Sequence, residues 1–261
     1  MPSVLLIGTG RAAFHLGHAL LRAGLPVVGV VGRDPKHTER LAGELGVASF
    51  SFDDVLPPAD LRLIAVSDDA ITAVATRLPK SEAATVHVSG SRSYELLGAH
   101  AHRGVLWPIQ SLSPGAPMDL SHVPLVIDGE DDRARAVIKD VATALSRTVV
   151  ELPSGQRQLL HVAAVLASNF PVLLLHEAQR LLKDEGLSPG LVVPLWTATT
   201  ARAVQDPANA LTGPARRGDM ETIHEHLARL TIDPDLRRAY AVLSELILRT
   251  WHPERRGVQD L

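Results

Sequence analysis

Short apolar runs alternate with amphipathic helical patterns along the first 150 residues. The candidate strands are residues 3–8, 26–32, 61–67, 85–89, 123–129 and 148–153. Helical patterns lie between them, after Gly10, Asp34 and Asp69 and across residues 131–146. Continuous runs of Val, Ile and Leu are typical of strands in a parallel sheet that is covered on both faces. The alternation therefore predicts an α/β domain with a doubly wound, mostly parallel sheet.

The pattern changes at about residue 154, where a single long helical pattern begins. Ser154 is a candidate N-cap and Gly186 a candidate C-terminal stop, while Pro171 is expected to kink the helix or split it in two. Further helices are predicted at 188–205, 219–230 and 234–251, and no strand pattern returns. The sequence thus predicts two domains, an α/β domain at 1–153 and an all-helical domain at 154–261.

Composition narrows the class of protein. The 261 residues are 46% hydrophobic and 21% charged, which is enough to form a buried core. The net charge of −3, with both signs interspersed, argues against a nucleic-acid partner. The absence of cysteine excludes disulfides and thiolate chemistry. No signal-peptide pattern and no uninterrupted apolar run of membrane-spanning length is present, so we expect a cytoplasmic protein with no membrane partner.

A glycine-rich turn follows the first predicted strand. Its residues Gly8, Thr9, Gly10, Arg11, Ala12 and Ala13 fit the pattern G-x-G-x-x-A. The first glycine permits a tight turn, the second permits close approach of a diphosphate, and the small third residue permits close helix–strand packing. The pattern alone is weak, but it opens a helix within a strand–helix–strand unit. It predicts dinucleotide binding, the alternative being a connection that binds nothing.

The end of the second strand favours NADP over NAD. An NAD site usually has an acidic residue there, and this sequence has Gly32 followed by Arg33. A guanidinium suits the 2′-phosphate of NADP. Asp34 is interpreted mainly as a helix N-cap, because Pro35 follows it.

Two further strand ends carry candidate site residues, since ligands of open α/β sheets bind at the carboxyl ends of the strands. Val66, Ser67, Asp68 and Ile71 are predicted to line the cofactor site, although an aspartate here is equally explained as a helix cap. Ser89 is predicted near the nicotinamide.

His87 precedes Ser89 and is predicted close to the nicotinamide too, its alternative role being that of a packed, hydrogen-bonded histidine. The following segment, WPIQSLSP at 107–114, is interpreted as a shaped loop rather than a strand.

The helical domain contains two polar groups of residues. His161, Ser168 and Asn169 are spaced to share one helix face, which is predicted to be buried or to line a cleft. A buried structural network is the alternative.

The second group lies in the segment LTGPARRGD at 211–219. Thr212 and Arg217 are candidate donors to an anionic substrate, together with Asp219, which is also a candidate helix cap. No metal site is predicted, because His224 and His226 are too close in sequence to share a helix face.

Six segments, in this order, resemble one family: GTGRAAFHLG, AVSDDAI, HVSGS, WPIQSLS, HVAAVLASNF and LTGPARRGD. It is the family of Rossmann-like oxidoreductases with a helical C-terminal domain of unknown function, within the 6-phosphogluconate dehydrogenase-like superfamily. The resemblance implies a Rossmann domain that binds NADP, a helical domain that forms a homodimer, and an active site between the domains. Relatives with this architecture include ketopantoate reductase and pyrroline-5-carboxylate reductase.

The sequence departs from some of these relatives. The hydroxyacid dehydrogenases and ketopantoate reductase use a lysine on the first long helix of the second domain, and here Lys183 lies only at its far end. His161 is then the best candidate proton donor, with Asn169 polarising the carbonyl and Ser89 assisting. Trp107 stands where the family motif usually has His.

The first functional hypothesis is an NADP(H)-dependent oxidoreductase acting on a small oxo or hydroxy acid, for example a ketopantoate-like acid. The alternatives are an imine reductase of the pyrroline-5-carboxylate reductase type and a non-catalytic NADP-binding regulatory protein.

Overall fold

A computed structural model describes residues 1–253 of the chain. The chain divides into two compact units, Met1–Leu166 and a second unit that begins at Ala167. Residues 254–261, the end of the predicted helical domain, lie outside the described part.

The first unit is built on an eight-stranded sheet with the order β3-β2-β1-β4-β5-β6-β7-β8. The strands are β1 Val4–Ile7, β2 Val27–Val31, β3 Ser49–Phe50, β4 Leu61–Ile64, β5 Ala84–His87, β6 His102–Pro108, β7 Leu125–Gly129 and β8 Val149–Glu151. All neighbours pair in parallel except β6 and β7, which are antiparallel. The predicted doubly wound, mostly parallel sheet is confirmed, and the strand order from β3 to β6 is that of a Rossmann fold.

Helices cover both faces of this sheet. They are α1 Arg11–Arg22, α2 Pro35–Leu45, α3 Ile71–Arg77, α4 Asp132–Leu145 and α5 Ser154–Ala167. Successive side chains of a strand point to opposite faces of the sheet, so β1 contributes to two hydrophobic clusters. Val4 and Leu6 pack in a cluster that includes residues of α1, α2 and α4, whereas Leu5 and Ile7 pack with residues of α3.

Two strands were not predicted. β3 has only two residues, too few for a periodic signal. β6 includes Trp107 and Pro108, so the interpretation of this stretch as a loop was wrong at its start. Its sequence HRGVLWP begins with polar residues and contains Gly and Pro, which disfavour a strand locally. Pairing with β5 and β7 outweighs this local preference.

The second unit contains only helices among the residues described. They are α6 Asn169–Asp184, α7 Val193–Gln205, α8 Pro207–Ala210, α9 Pro214–Arg217, α10 Met220–Arg229 and α11 Pro234–Trp251. Its buried core is small, with Ala215 from α9, Ile223 and Leu227 from α10, and Ala241 and Leu248 from α11. The all-helical nature of this part of the chain is confirmed.

The long apolar pattern after residue 154 is divided at Ser168, between α5 and α6. Pro171 accounts for the division, because its ring clashes with the carbonyl four residues earlier. By length and composition alone, the segment Ser154–Asp184 is apolar enough to cross a membrane, and its most apolar stretch is not buried within the chain.

Candidate cofactor and substrate site

The glycine turn joins β1 to α1 at the carboxyl edge of the sheet. Gly8 has φ +121°, a conformation that side-chain-bearing residues rarely adopt, and a Cβ there would lie 2.4 Å from the Ala65 carbonyl oxygen at the end of β4. Gly10 begins α1 as its N-cap and has open space where a Cβ would be. No side chain caps this helix, so its first backbone N–H groups are available to an anion. The turn therefore fits a dinucleotide diphosphate.

The end of β2 leaves no room for an acidic residue. A Cβ on Gly32 would lie 2.1 Å from Thr38 Oγ1 and 2.9 Å from Thr9 Cγ2. Arg33 is exposed beside this position. Asp34 caps α2 by accepting a hydrogen bond from the His37 backbone N–H at 3.2 Å, as the helix-cap interpretation predicted.

Asp68 connects the ends of β4 and β5. Its carboxylate accepts hydrogen bonds from the hydroxyls of Ser89 and Ser91, each at 2.8 Å, and lies 3.7 Å from the Arg92 guanidinium. Asp68 is thus not acting as a helix cap here. Its contacts hold the loop after β5, residues 88–93, against the loop after β4.

The Ser89 hydroxyl already makes hydrogen bonds to Asp68 and within its own loop. It donates to Asp68 and accepts from the backbone N–H groups of Ser91 and Arg92, and the residue is buried. Of the other residues predicted at this edge, Val66 packs partly buried against the core and Ser67 is exposed. Ile71 is buried in the core of the unit, and it does not form part of an open site surface.

His87 is a packed histidine in the structure. Its Nδ1 accepts from the Ser89 N–H at 3.2 Å, and its Nε2 lies 3.2 Å from the Ser93 carbonyl oxygen. Burial lowers the pKa of His87 to about 4. The ring is therefore neutral at physiological pH, and it serves to shape the loop rather than to supply a proton.

Trp107 lies against the same loop. A Cβ on Gly90 would approach the indole ring to 2.3 Å, so glycine is needed there for the ring to pack. The indole is also 5.5 Å from the His161 ring, centroid to centroid. His161, in α5, is partly buried, and this ring contact places it near the loop after β5.

Arg157 is a residue of this site that the sequence analysis missed. Its side chain, in the first turns of α5, is fully buried. Nη1 faces three backbone carbonyls of the loop after β5, those of Ser89 at 3.4 Å, Gly90 at 3.1 Å and Arg92 at 2.6 Å. The sequence offered little signal, because Arg157 stands between two glutamines in the polar start of the segment SGQRQLLHV.

The charge of Arg157 is balanced by Asp128 of β7, whose carboxylate lies 3.5 Å from Nη2. That separation suits an ion pair but is long for a hydrogen bond. Burial raises the pKa of Asp128, against the opposing effect of Arg157. Removing these two charges from water is costly, and loss of either residue would leave the other charge buried without a partner.

In the second unit, Ser168 and Asn169 are exposed, which excludes the buried network, one of the two alternatives predicted for their helix face. The Ser168 hydroxyl donates to Asn169 Oδ1 at 2.8 Å. Apolar residues near them in sequence, Leu166, Phe170 and Val172, are exposed as well.

The segment 211–219 is an ordered turn around α9. Asp219 caps α10 through the Thr222 N–H and hydroxyl, which confirms its predicted capping role. The Arg216 guanidinium lies over the Trp251 ring, whereas Arg217 is more exposed, 3.8 Å from Asp219. Thr212 is exposed and lines a cavity of this unit.

Two family models match the chain. Residues 3–91 match the model described as NADP oxidoreductase, coenzyme F420-dependent, and residues 123–247 match a domain of unknown function, DUF2520. None of the curated proteins matches the chain.

Solved structures match over nearly the whole length. A Bacteroides fragilis protein assigned as an NADP oxidoreductase has 31% identity and a TM-score of 0.83, covering 94% of this chain and 97% of that one. A Thermotoga maritima protein has 25% identity and a TM-score of 0.75, covering 97% and 100%. An imine reductase from Myxococcus stipitatus in complex with NADP+ shares the fold, at 15% identity and a TM-score of 0.67, covering 95% and 94%.

Proposed function

Because the chain belongs to the family of NADP oxidoreductases that carry a DUF2520 domain, we propose that it is an NADPH-dependent reductase of a small molecule. The main support for the proposal is the glycine turn. No side chain caps the N-terminus of α1 there, and the space beside Gly10 is open. The bound nicotinamide would supply the hydride. The chain's own residues would hold the diphosphate at the start of α1 and shape the loop after β5.

The preference for NADPH over NADH rests on the end of β2. An acidic side chain at position 32 would clash with Thr38, so the usual acidic partner of the NAD ribose has no place there. Arg33 is exposed at the adjacent position and suits a phosphate.

Arg33→Ala should weaken NADPH binding by about tenfold or more, as expected for the loss of a charge-assisted hydrogen bond to phosphate. NADH affinity should change little, because NADH lacks the 2′-phosphate. Fluorescence titration with each cofactor measures both effects. Arg40→Ala, an exposed arginine on α2, is the matched control and should leave both affinities unchanged. Equal weakening of NADPH and NADH by Arg33→Ala would contradict the assignment.

We propose an imine rather than an oxo acid as the first candidate for the reducible group, on the basis of two side chains of the loop after β5. In the loop after β5, His87 is held neutral and the Ser89 hydroxyl is engaged by Asp68. An imine takes up a proton from water more readily than a carbonyl does, so its reduction depends less on a strong protein acid. A small oxo acid, such as a ketopantoate-like one, remains the second candidate, because Arg217 and Thr212 are exposed donors.

NADPH oxidation in the presence of cyclic imines or small 2-oxo acids separates these candidates. Tight NADPH binding without turnover on either class would instead indicate the regulatory alternative. His161 and Asn169 stay candidate catalytic residues for whichever substrate is reduced.

We also propose that the helical part of the chain forms a homodimer. Many of its apolar side chains are exposed: Val162, Leu166, Phe170, Val172, Leu173, Leu191 and Leu195. Exposed apolar side chains in such number are typical of a protein–protein interface. Five of these residues, from Val162 to Leu173, lie within Ser154–Asp184 and contribute to its high hydropathy.

Light scattering should give a mass of twice 28.0 kDa for the protein in detergent-free buffer. Leu173→Glu should shift the population toward monomer, because a charge in the middle of an apolar interface is costly. Val55→Glu, an exposed apolar residue of the first unit, is the control. A monomeric wild-type protein at micromolar concentration would rule out the dimer.

A further inference from the structure

The loop of residues 109–124 connects β6 to β7. It leaves β6 at the carboxyl edge of the sheet, where the glycine turn and the loops after β4 and β5 also lie. Its start is fixed beside the loop after β5, because the Trp107 indole at the end of β6 packs on Gly90. Ligands of open α/β sheets bind at this edge, so the β6–β7 loop lies on the side of the sheet where a cofactor is expected.

His15 of α1 holds the middle of this loop. The imidazole is buried, its Nε2 donates to the Ser113 carbonyl oxygen at 2.8 Å, and its Nδ1 accepts from the Met118 N–H at 3.2 Å. Because a carbonyl oxygen only accepts and a backbone N–H only donates, the two bonds place the ring proton on Nε2. Both ring nitrogens are therefore used to hold the backbone of the β6–β7 loop.

Few other contacts hold this part of the loop. Residues 113–117 are exposed, and the Met118 side chain packs partly against the core. Among the described residues, the only other hydrogen bond that reaches 111–119 from outside the loop is a long one, from the Arg22 guanidinium to the Met118 carbonyl oxygen at 3.4 Å. The position of the exposed stretch thus depends mainly on His15.

The same helix that holds this loop also begins at the glycine turn. His15 lies five residues after Gly10, which is about 7.5 Å along the helix axis. A dinucleotide in a Rossmann fold crosses the sheet at the diphosphate, so an adenosine half beside β2 and Arg33 leaves the nicotinamide half on the side of β4, β5 and β6. The N–H groups of Leu112 and Ser113 make no hydrogen bond within the described chain and are free to meet a ligand there.

We propose that His15 is a positioning residue, which holds the segment 109–113 against the nicotinamide half of bound NADPH by fixing the backbone of Ser113 and Met118. The inference rests on the proposed reductase function, because it requires NADPH to bind at the glycine turn. His15 itself touches neither the cofactor nor the substrate in this role. Without His15, binding of NADPH would have to order the loop, and that cost lowers affinity.

His15→Phe keeps a ring in the buried position and removes both hydrogen bonds. We expect NADPH to bind the full-length variant about fivefold more weakly or worse, because the loop is no longer preorganised. Adenosine 2′,5′-bisphosphate has the adenosine and the 2′-phosphate but no nicotinamide, so its affinity should not change. Calorimetric titration measures both ligands. Equal weakening of the two, or unchanged NADPH affinity in the folded variant, would overturn the inference.

His100→Phe is the matched control. His100 is also a buried histidine, with Nε2 2.9 Å from the Ala75 carbonyl oxygen. It precedes β6 and therefore lies at the opposite edge of the sheet. We expect the melting temperature to fall in both variants, but NADPH affinity to fall only in His15→Phe. An equal loss of NADPH affinity in the two variants would assign the effect to general destabilisation and overturn the role of His15.

Amide exchange in the wild-type protein provides a test that does not depend on the folding of a variant. NADPH should slow exchange in the peptide 109–119, whereas adenosine 2′,5′-bisphosphate should not. NADPH binding without slower exchange in this peptide overturns the role of the loop and of His15 alone. Failure of the wild-type protein to bind NADPH overturns the reductase itself, so the two proposals fail in different ways.

Discussion

Gly10→Ala should reduce NADPH affinity by about a hundredfold or more, because the second glycine of this pattern is where a diphosphate approaches the backbone. The fold should tolerate the change. Gly10 has φ −84°, which alanine adopts readily, and its Cβ would meet no protein atom within 4 Å. We expect the free energy of unfolding to fall by less than about 1 kcal/mol, the effect of replacing glycine by alanine at an N-cap.

Gly8→Ala is the matched comparison in the same turn. Here φ is +121° and the new Cβ would lie 2.4 Å from the Ala65 carbonyl oxygen. We expect a loss of about 2–4 kcal/mol from strain and overpacking. Urea unfolding and NADPH titration of both variants separate folding from binding. Wild-type NADPH affinity in Gly10→Ala would show that the turn merely joins a strand to a helix.

Arg157→Met should destabilise the protein by about 3–5 kcal/mol, because it leaves a partly buried carboxylate without its cation. Asp128 is that carboxylate, and the backbone carbonyls of Gly90 and Arg92 lose a donor at the same time. The loop after β5 is then held by fewer contacts, so NADPH affinity should fall as well. Arg147→Met, at an exposed position, should change stability by less than about 0.5 kcal/mol.

A double variant separates the two roles of Arg157. Replacing Asp128 by Asn in the Arg157→Met background removes the unpaired charge, so part of the stability should return. The loop carbonyls still lack their donor, and NADPH affinity should stay low. Denaturant unfolding, with NADPH titration below the unfolding temperature, tests both expectations. Recovery of both quantities in the double variant would mean that Arg157 acts only as a counter-ion and does not position the loop.

The sequence predicted those features whose physical cause is local. Strand and helix patterns repeat every two or 3.6 residues, so the main strands and the change to an all-helical region could be identified from neighbouring residues alone. The glycine turn follows from the spacing of Gly8 and Gly10. Asp34 and Asp219 were identified as caps because a cap bonds to an N–H only three residues away.

The tertiary structure decided the features that depend on distant residues. β6 is a strand because β5 and β7 supply its hydrogen bonds, although its own sequence does not favour one. The contact between Asp68 and Ser89 spans 21 residues, and that between Arg157 and Arg92 spans 65. Packing likewise decides which side chains are buried. His87 is buried and therefore neutral, whereas Asn169 is exposed. Sequence periodicity reflects the local structural preferences of the chain. Strand pairing, side-chain burial and side-chain ionisation depend instead on which distant segments the fold brings together.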